Sequence, residues 1–307
     1  MATSSSHTPP SPIAKKTGWP WTTESVHSTQ IQSASIDYPK ISIVTPSYNQ
    51  ANYVEATIRS VLLQGYPNVE HFVIDGNSTD HSCDVIRHYE GWLSDSLSEP
   101  DRGQSHAINK GLEKASGQIL GWLNSDDLLM PGALHAVAQS FRKIPGATAW
   151  IGKCHRIDPS GWLLSTVTPK GLCRDKMANW GRKGHFYQPS CFFLSDSWRK
   201  VGPLDESLHY AMDVDLWLRL ATIGDFIPIR QALSAAVIHP HAKTQKDRDK
   251  MEKEIQLIQQ RHGYEKLAES RLLKPSKSLT TRTRFFLGRT LNKLNVFPKQ
   301  RIKIVNI

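Results

Sequence analysis

The sequence predicts an α/β fold built on a parallel, doubly wound sheet, and three observations carry that prediction. From residue 40 onward, short β-branched runs alternate with amphipathic stretches in the order β-α-β-α-β-α-β. Carboxylate-bearing turns directly follow the apolar runs, where the ligand crevice of such a sheet lies. With 307 residues, 39% of them hydrophobic, the chain has enough apolar material for one large domain or two small ones.

The elements follow in order. Residues 41–45 are a β-branched run that ends in a Pro-Ser-Tyr-Asn turn, and residues 51–63 place Val54, Ile58, Val61 and Leu62 at helical spacing before Gly65 and Pro67. A second strand spans 69–75, and Thr79 or Asp80 can cap a helix carrying Val85, Ile86 and Tyr89. A helix through Ala107, Ile108 and Leu112 stops at Gly117, residues 119–123 form a buried strand, and Pro131 opens the helix of Leu134, Val137 and Phe141. The second half is less regular, with strands expected at 149–157, 188–194, 226–230 and 234–239. A turn at 158–161 suggests a hairpin, and helices are expected at 213–221 and 246–262.

Composition and charge narrow the function. Near-average composition excludes wholesale disorder, collagen and coiled coil. No apolar run approaches the ~18 to 20 residues of a spanning helix, and the first residues lack the hydrophobic stretch of a secretory signal. A cytoplasmic location is therefore expected, with Cys83, Cys154, Cys173 and Cys191 as free thiols. The net charge is +10, but residues 1–240 hold 21 Lys+Arg against 22 Asp+Glu, and residues 241–307 hold 17 against 6. The body is neutral, and no nucleic-acid partner is expected for it.

Residues 1–37 read as a flexible Ser/Thr/Pro-rich leader, interrupted by Gly18-Trp19-Pro20-Trp21, whose indoles are expected to dock on the body. Residues 245–307 read as a basic helical tail. Its stretch 270–307 interleaves cations with Phe285, Phe286, Leu291, Leu294 and Val296, as a segment lying on an anionic membrane surface does. A peripheral position on the inner face of the cell membrane follows as an expectation.

Four acidic or basic positions at element ends carry candidate chemistry. Asp75 closes a strand and precedes Gly76, which suits either a hydrogen bond to a base or ribose or a simple turn; Asp80 reads as a cap. Asn124-Ser125-Asp126-Asp127 ends a buried strand with adjacent carboxylates. A divalent cation of the Mg2+ or Mn2+ type would justify that repulsion, and the alternative is a solvated turn. Asp213 and Asp215 begin a helix whose dipole favours an anion, useful for a general base, although capping explains one of them. His239 ends the last strand, either structurally or as a metal ligand. No GxxxxGK[ST] or GxGxxG motif is present, which excludes a P-loop NTPase or a dinucleotide dehydrogenase.

Five ordered motifs, IVTPSYNQ at 43–50, IDGNSTD at 74–80, SEPDRGQS at 98–105, GWLNSDD at 121–127 and MDVDLWLR at 212–219, resemble the inverting family 2 glycosyltransferases of the GT-A fold. The resemblance runs from about residue 39 to 243. It implies a Rossmann-like, mainly parallel central sheet flanked by helices, with a smaller mixed acceptor-side region and C-terminal helices. The domain would cover 38–244, with a nucleotide-sugar half at 38–130 and an acceptor half at 131–244. It further implies a metal-dependent transfer from a UDP-, GDP- or dTDP-sugar to a carbohydrate or lipid-linked hydroxyl, in polysaccharide or glycolipid synthesis. Pro46 and Tyr48 would contact the base, Asp75 the base or ribose, and Arg102 and Gly103 would line the nucleotide site. Asn124 would lie on the ribose side, with Asp126 as the metal ligand supported by Asp127 and His239. Asp213 would be the catalytic base, with Gln188 and Met212 on the acceptor side. The chain departs from the pattern at Asn124, where Asp is frequent, at Met212, where Glu is frequent, and at His106, where an acidic residue is expected. A weakly active or inactive nucleotide-sugar-binding relative is the alternative that these departures favour, and a nucleic-acid-binding protein acting through the basic tail is a weaker one.

Overall fold

A computed structural model describes residues 9–25, 38–239, 247–273 and 302–307. Three parallel connections build the first half. β1 (Ile41–Ser47), wholly buried, is flanked by β2 (Val69–Asp75) and β4 (Ile119–Trp122), and β2 pairs with β3 (Asp95–Ser98), all parallel. The helices between them are α1 (Val54–Leu62), α2 (Ser82–Tyr89) and α3 (Gln104–Lys114). All these strands end at one edge, so Asp75 and the residues after Trp122 share a crevice, as expected for a doubly wound sheet.

Beyond β4 the sheet becomes mixed. β6 (Ala149–Ile157) runs in the same sense as β4, with the antiparallel β8 (Cys191–Leu194) between them; β9 (Phe226–Val237) lies parallel to β6. β5 (Asp127–Leu129) pairs with β9, and β7 (Leu163–Val167) forms the expected hairpin with β6. The two strands expected at 226–230 and 234–239 are one strand with an irregularity. Ile151 faces Pro228 and Lys153 faces Ala232, so β9 places three residues against one of β6. Gly152 sits at that point because a Cβ there would lie 2.2 Å from Leu233. The strand expected at 188–194 begins at Cys191, after a 3-10 turn at Gln188–Ser190.

The helices α4 (Ala133–Lys143), α5 (Arg174–Ala178), α6 (Ser195–Val201) and α7 (Met212–Leu220) complete the body, and α8 (Arg248–Arg261) and α9 (Glu265–Leu273) follow it. Ile255 and Ile258 of α8 are buried in the largest core cluster beside Trp217 and Met177, so this first part of the basic tail belongs to the body. In the same cluster Trp217 of α7 stacks on Trp122 of β4, with centroids 5.3 Å apart and planes at 13°. That contact fixes the helix beginning with Met212 against the strand that leads into the Asn124–Asp127 turn.

The indole docking expected of the N-terminal segment is present. Trp19 and Trp21 are 8% and 2% exposed and pack with Ala56, Leu128, Ala235, Val237 and Val305. Trp19 Nε1 donates to the Leu129 carbonyl at 3.1 Å, and Trp21 Nε1 donates to the Asn306 carbonyl. Residues 302–307 in turn pair with the β6–β7 turn, through Leu163 N to Ile302 O and Ile304 N to Gly161 O, both 2.9 Å. The expected membrane segment around Arg284–Arg289 and Leu291–Val296 lies outside the described residues, as do 1–8, 26–37 and 240–246.

Candidate active site

The turn after β4 is assembled from three directions. α1 supports β5 from behind: Thr57 Oγ1 donates to the Asp127 carbonyl at 2.8 Å, and Ser60 Oγ accepts the Leu129 amide at 3.1 Å. Asn124 accepts from Gln104 Nε2 at 2.8 Å, and its own Nδ2 lies 3.2 Å from Asp127 Oδ2 and 3.3 Å from Gln188 Oε1. Gln188 Nε2 donates to the Trp122 carbonyl at 2.8 Å. An aspartate at 124 would set a further carboxylate against the buried Asp127 carboxyl; the amide donates to it instead, which gives the Asn124 departure a local purpose.

Asp126 and Asp127 part company here. Asp127 lies in β5, 7% exposed, and burial followed by the Asp126 charge pushes its carboxyl well above the ordinary range. Asp126 keeps 21% side-chain exposure and meets His239 Nε2 at 3.0 Å. His239 is 4% exposed and stacks on Tyr53, with centroids 4.9 Å apart and planes at 23°. Burial, then the charge on Asp126, raises the Tyr53 phenol, which marks Tyr53 as part of this site.

Asp75 is built as a hub. Its carboxylate accepts the Ser78 amide at 2.8 Å, the Ser78 hydroxyl at 2.6 Å, the Ser98 hydroxyl at 2.8 Å and the Cys83 thiol at 3.3 Å. Burial alone would raise its pKa; these hydrogen bonds outweigh it and hold the carboxyl below its usual value. The hub fixes the turn through Asn77, which has a positive φ of 64°. A Cβ at Gly76 would lie 2.6 Å from the Asp101 carboxylate, whose Oδ1 accepts the Gly103 amide at 2.7 Å, so a larger residue there would displace that side chain. Asp80, expected as the cap of α2, lies one residue before the N-cap position, which is His81, and holds the preceding turn by accepting the Ser82 amide at 2.9 Å.

Pro46 is buried in β1 opposite Ile74, whereas Tyr48 beyond it is 60% exposed at the crevice edge. Gly103, at φ 116°, precedes α3 with open space where a Cβ would stand. Arg102 pairs with Glu206 at 2.7 Å while 68% exposed, and its amide donates to His106 Nδ1 at 3.1 Å, which gives His106 a structural role. Asn109 ties the 203–208 loop to α3, accepting the Leu204 amide at 2.9 Å and donating to its carbonyl at 3.0 Å.

Asp213 occupies the first turn of α7, and its Oδ1 accepts the Val214 amide at 2.8 Å. Burial pushes its pKa up to about 6, opposed by the Val214 amide and its own and assisted by the charge on Glu254. Asp215, by contrast, is consumed by His262 at 3.0 Å and Arg219 at 2.8 Å. The two aspartates of the motif therefore divide into one with raised proton affinity and one held in charged pairs. Met212 is 6% exposed and packs in the main core.

A divalent cation fits one part of this set. Asp126 and His239 offer one oxygen and one nitrogen at the crevice, a mixture suited to Mn2+, whose remaining positions diphosphate oxygens and water can fill. Among the described residues, no three His, Cys, Asp or Glu side chains gather as a metal cluster, so Asp127 does not complete a closed protein cage. Sequence reading did not single out Tyr53, Gln104, Asp101 or Glu254. Each acts on a named residue through space, and only Asp101 and Gln104, within the SEPDRGQS stretch, offered a local signal.

Comparisons with known proteins agree with this geometry. The chain is 27% identical over 70% of its length to a chondroitin synthase of Pasteurella multocida and 27% identical over 66% to a hyaluronan synthase of the same species. It spans only 22% and 21% of those relatives, about a fifth of each. Its fold is similar to Staphylococcus aureus TarS solved with UDP-GlcNAc, with TM-score 0.58 and 16% identity over 71% of this chain and 66% of that one. It is also similar to a Pyrobaculum calidifontis mannosyltransferase solved with GDP-Man and Mn2+, with TM-score 0.54 and 18% identity over 73% and 64%. The family model described as glycosyl transferase family 2 matches residues 42–201, which hold the β1 turn, the Asp75 hub and the Asn124–Asp127 turn. With more than half its length under that match, the chain belongs to glycosyl transferase family 2 and has the GT-A fold.

Proposed function

We propose that the chain transfers a sugar from a nucleotide-diphosphate donor to a hydroxyl acceptor with inversion, in the synthesis of a polysaccharide or glycolipid. The observation that carries this reading is the division of carboxylates. Asp126, paired with His239, would face the cation and diphosphate, and Asp213, its pKa raised to about 6, begins a helix stacked on the same strand. Asp213 would accept the proton of the acceptor hydroxyl as its oxygen attacks the anomeric carbon, and a single displacement inverts that centre. A base near 6 is ionised at neutral pH yet retains useful proton affinity.

Asp126 and His239 would hold a divalent cation, with Asp127 behind them; such a cation, when bound, neutralises charge on the departing diphosphate. Tyr48 offers an exposed ring for the base, and the Asp75 hub with Gly76 and Gly103 shapes the nucleotide floor. Arg102 borders the donor, Asn124 faces the ribose side, and Gln188 with the buried Met212 backs the acceptor wall. The Mn2+ and GDP-Man of the mannosyltransferase, and the UDP-GlcNAc of TarS, support a nucleotide-sugar donor and a cation here. No helix among the described residues is long and apolar enough to cross a membrane, and the basic stretch 270–307 is proposed to hold the protein on an anionic surface.

Thermal-shift measurements with UDP-, GDP- and dTDP-sugars, each with Mn2+ or Mg2+, test the donor class. One nucleotide series should raise Tm in a metal-dependent way. No shift with any of them would remove the reading.

A further inference from the structure

Glu254 lies on α8, beyond the segment matched by the family, and its carboxylate is directed at the loop that leads into the Asp213 helix. Oε1 accepts the His209 amide at 2.8 Å, and Oε2 accepts the Tyr210 and Ala211 amides at 2.7 and 2.9 Å. Three consecutive backbone donors on one carboxylate form a charge-assisted anchor, and the anion sits at the positive end of α7. The neighbouring contacts serve the same end. Tyr210 Oη donates to Asp247 at 3.0 Å, and His262, at the end of α8, meets Asp215 one turn into α7. α8 therefore grips α7 and its entry loop at both ends, seated by Ile255 and Ile258 in the core.

We propose that Glu254 is a positioning residue for sugar transfer: it holds loop 209–211 in register and so fixes the Asp213 carboxylate at the acceptor side of the crevice. The proposal rests on Asp213 as the base. Glu254 also supports that role electrostatically, because its negative charge adds to burial in raising the proton affinity of Asp213. Among the described residues, the buried Cys191 thiol of β8 also faces Asp213; it is raised by burial and then by the charge on Asp213, so it stays neutral and adds no charge.

Two substitutions in the full chain test this. Glu254→Gln turns an N–H2 toward backbone N–H groups, and Glu254→Asp keeps the charge but withdraws both oxygens by one methylene. Hydrogen exchange at residues 209–211 should quicken in both variants. With the donor selected by thermal shift, kcat should fall by about 10- to 100-fold in both while donor KM stays within about twofold. The acid limb of the pH profile should move to lower pH only in Glu254→Gln. In an Asp213→Asn background, Glu254→Gln should cause no further loss of kcat. Unchanged exchange and kcat, or losses explained by a parallel rise in KM with the acid limb unmoved, would overturn the proposal. An Asp213→Asn protein that turns over normally would instead sink the base assignment, and the exchange data would still report whether Glu254 fixes the loop.

Discussion

Asp213 and Asp75 are both aspartates at element ends, yet their surroundings drive them in opposite directions. Burial dominates at Asp213 and raises it to about 6; at Asp75, four hydrogen bonds outweigh burial and lower it. For Asp213 the folded state keeps its proton to higher pH than the unfolded chain, so this group costs stability as pH rises through about 4 to 6. Activity should rise over the upper part of that window, with an acid limb near 6. Asp213→Asn should therefore lose at least about a thousandfold in kcat while its Tm at pH 8 equals or exceeds that of the parent. A Tm that falls together with the rate would mark Asp213 as structural. Asp75 has the opposite sign: its contribution is present above the unfolded pKa near 4 and is lost as pH falls through the lower folded value. Asp75→Ala should destabilise the protein at pH 7 by about 1–3 kcal/mol. It should also weaken nucleotide binding, as read by denaturation and by calorimetry with the free nucleotide.

At the scale of elements, α1 connects the crevice to the N-terminal segment. Glu55 and Arg59 lie one turn apart on its buried side, 7% and 3% exposed. Glu55 accepts the Ile13 and Ala14 amides and the Tyr89 hydroxyl, and Arg59 donates to the Trp21 carbonyl and to Tyr89. Both side chains satisfy buried polar groups of the N-terminal segment, so Arg59→Ala, which takes this donor away from the Trp21 carbonyl, should cost about 1–3 kcal/mol and free residues 9–25 for limited proteolysis. Retained protection of that segment would disprove the coupling. These contacts also show what the sequence made legible. The helical spacing of Val54, Ile58 and Val61 was plain, as were the strands of β1, β2 and β4, because burial on one or both faces writes a period into the residues. β5 spans three residues, and β3 reads Asp-Ser-Leu-Ser; neither is long enough to show a period. Their pairing is dictated by β9 and β2 across the sheet. The same limit held at the site, where Asp126 and Asp213 could be read from local motifs but Tyr53 and Glu254 are defined by the partners they meet in space.

For the whole molecule, the basic surplus takes on a more definite geometry. Residues 274–301 hold eight Lys+Arg and no Asp or Glu, yet the described residues on either side of them both dock on the body. Before them, Arg271 Nη2 donates to the Trp180 carbonyl at 2.7 Å; after them, Val305 is 4% exposed and packs with Trp19, Trp21 and Ile157. A membrane contact through this stretch would orient the body as well as recruit it. Each cation near an anionic surface contributes about 1 kcal/mol, so the eight together suffice for binding at low salt. Truncating the chain after residue 273 would be a poor test, because it also removes the 302–307 segment that closes over Trp21 and the Gly161 turn. Replacing the eight cations by Gln in place leaves that closure intact. The parent protein should sediment with phosphatidylserine vesicles and be released as ionic strength rises, while ignoring neutral vesicles. The substituted protein, with Tm unchanged, should stay in solution. Equal sedimentation of the two proteins would show that the stretch does not bind the membrane and would leave the +11 balance of residues 241–307 as a solubility feature only.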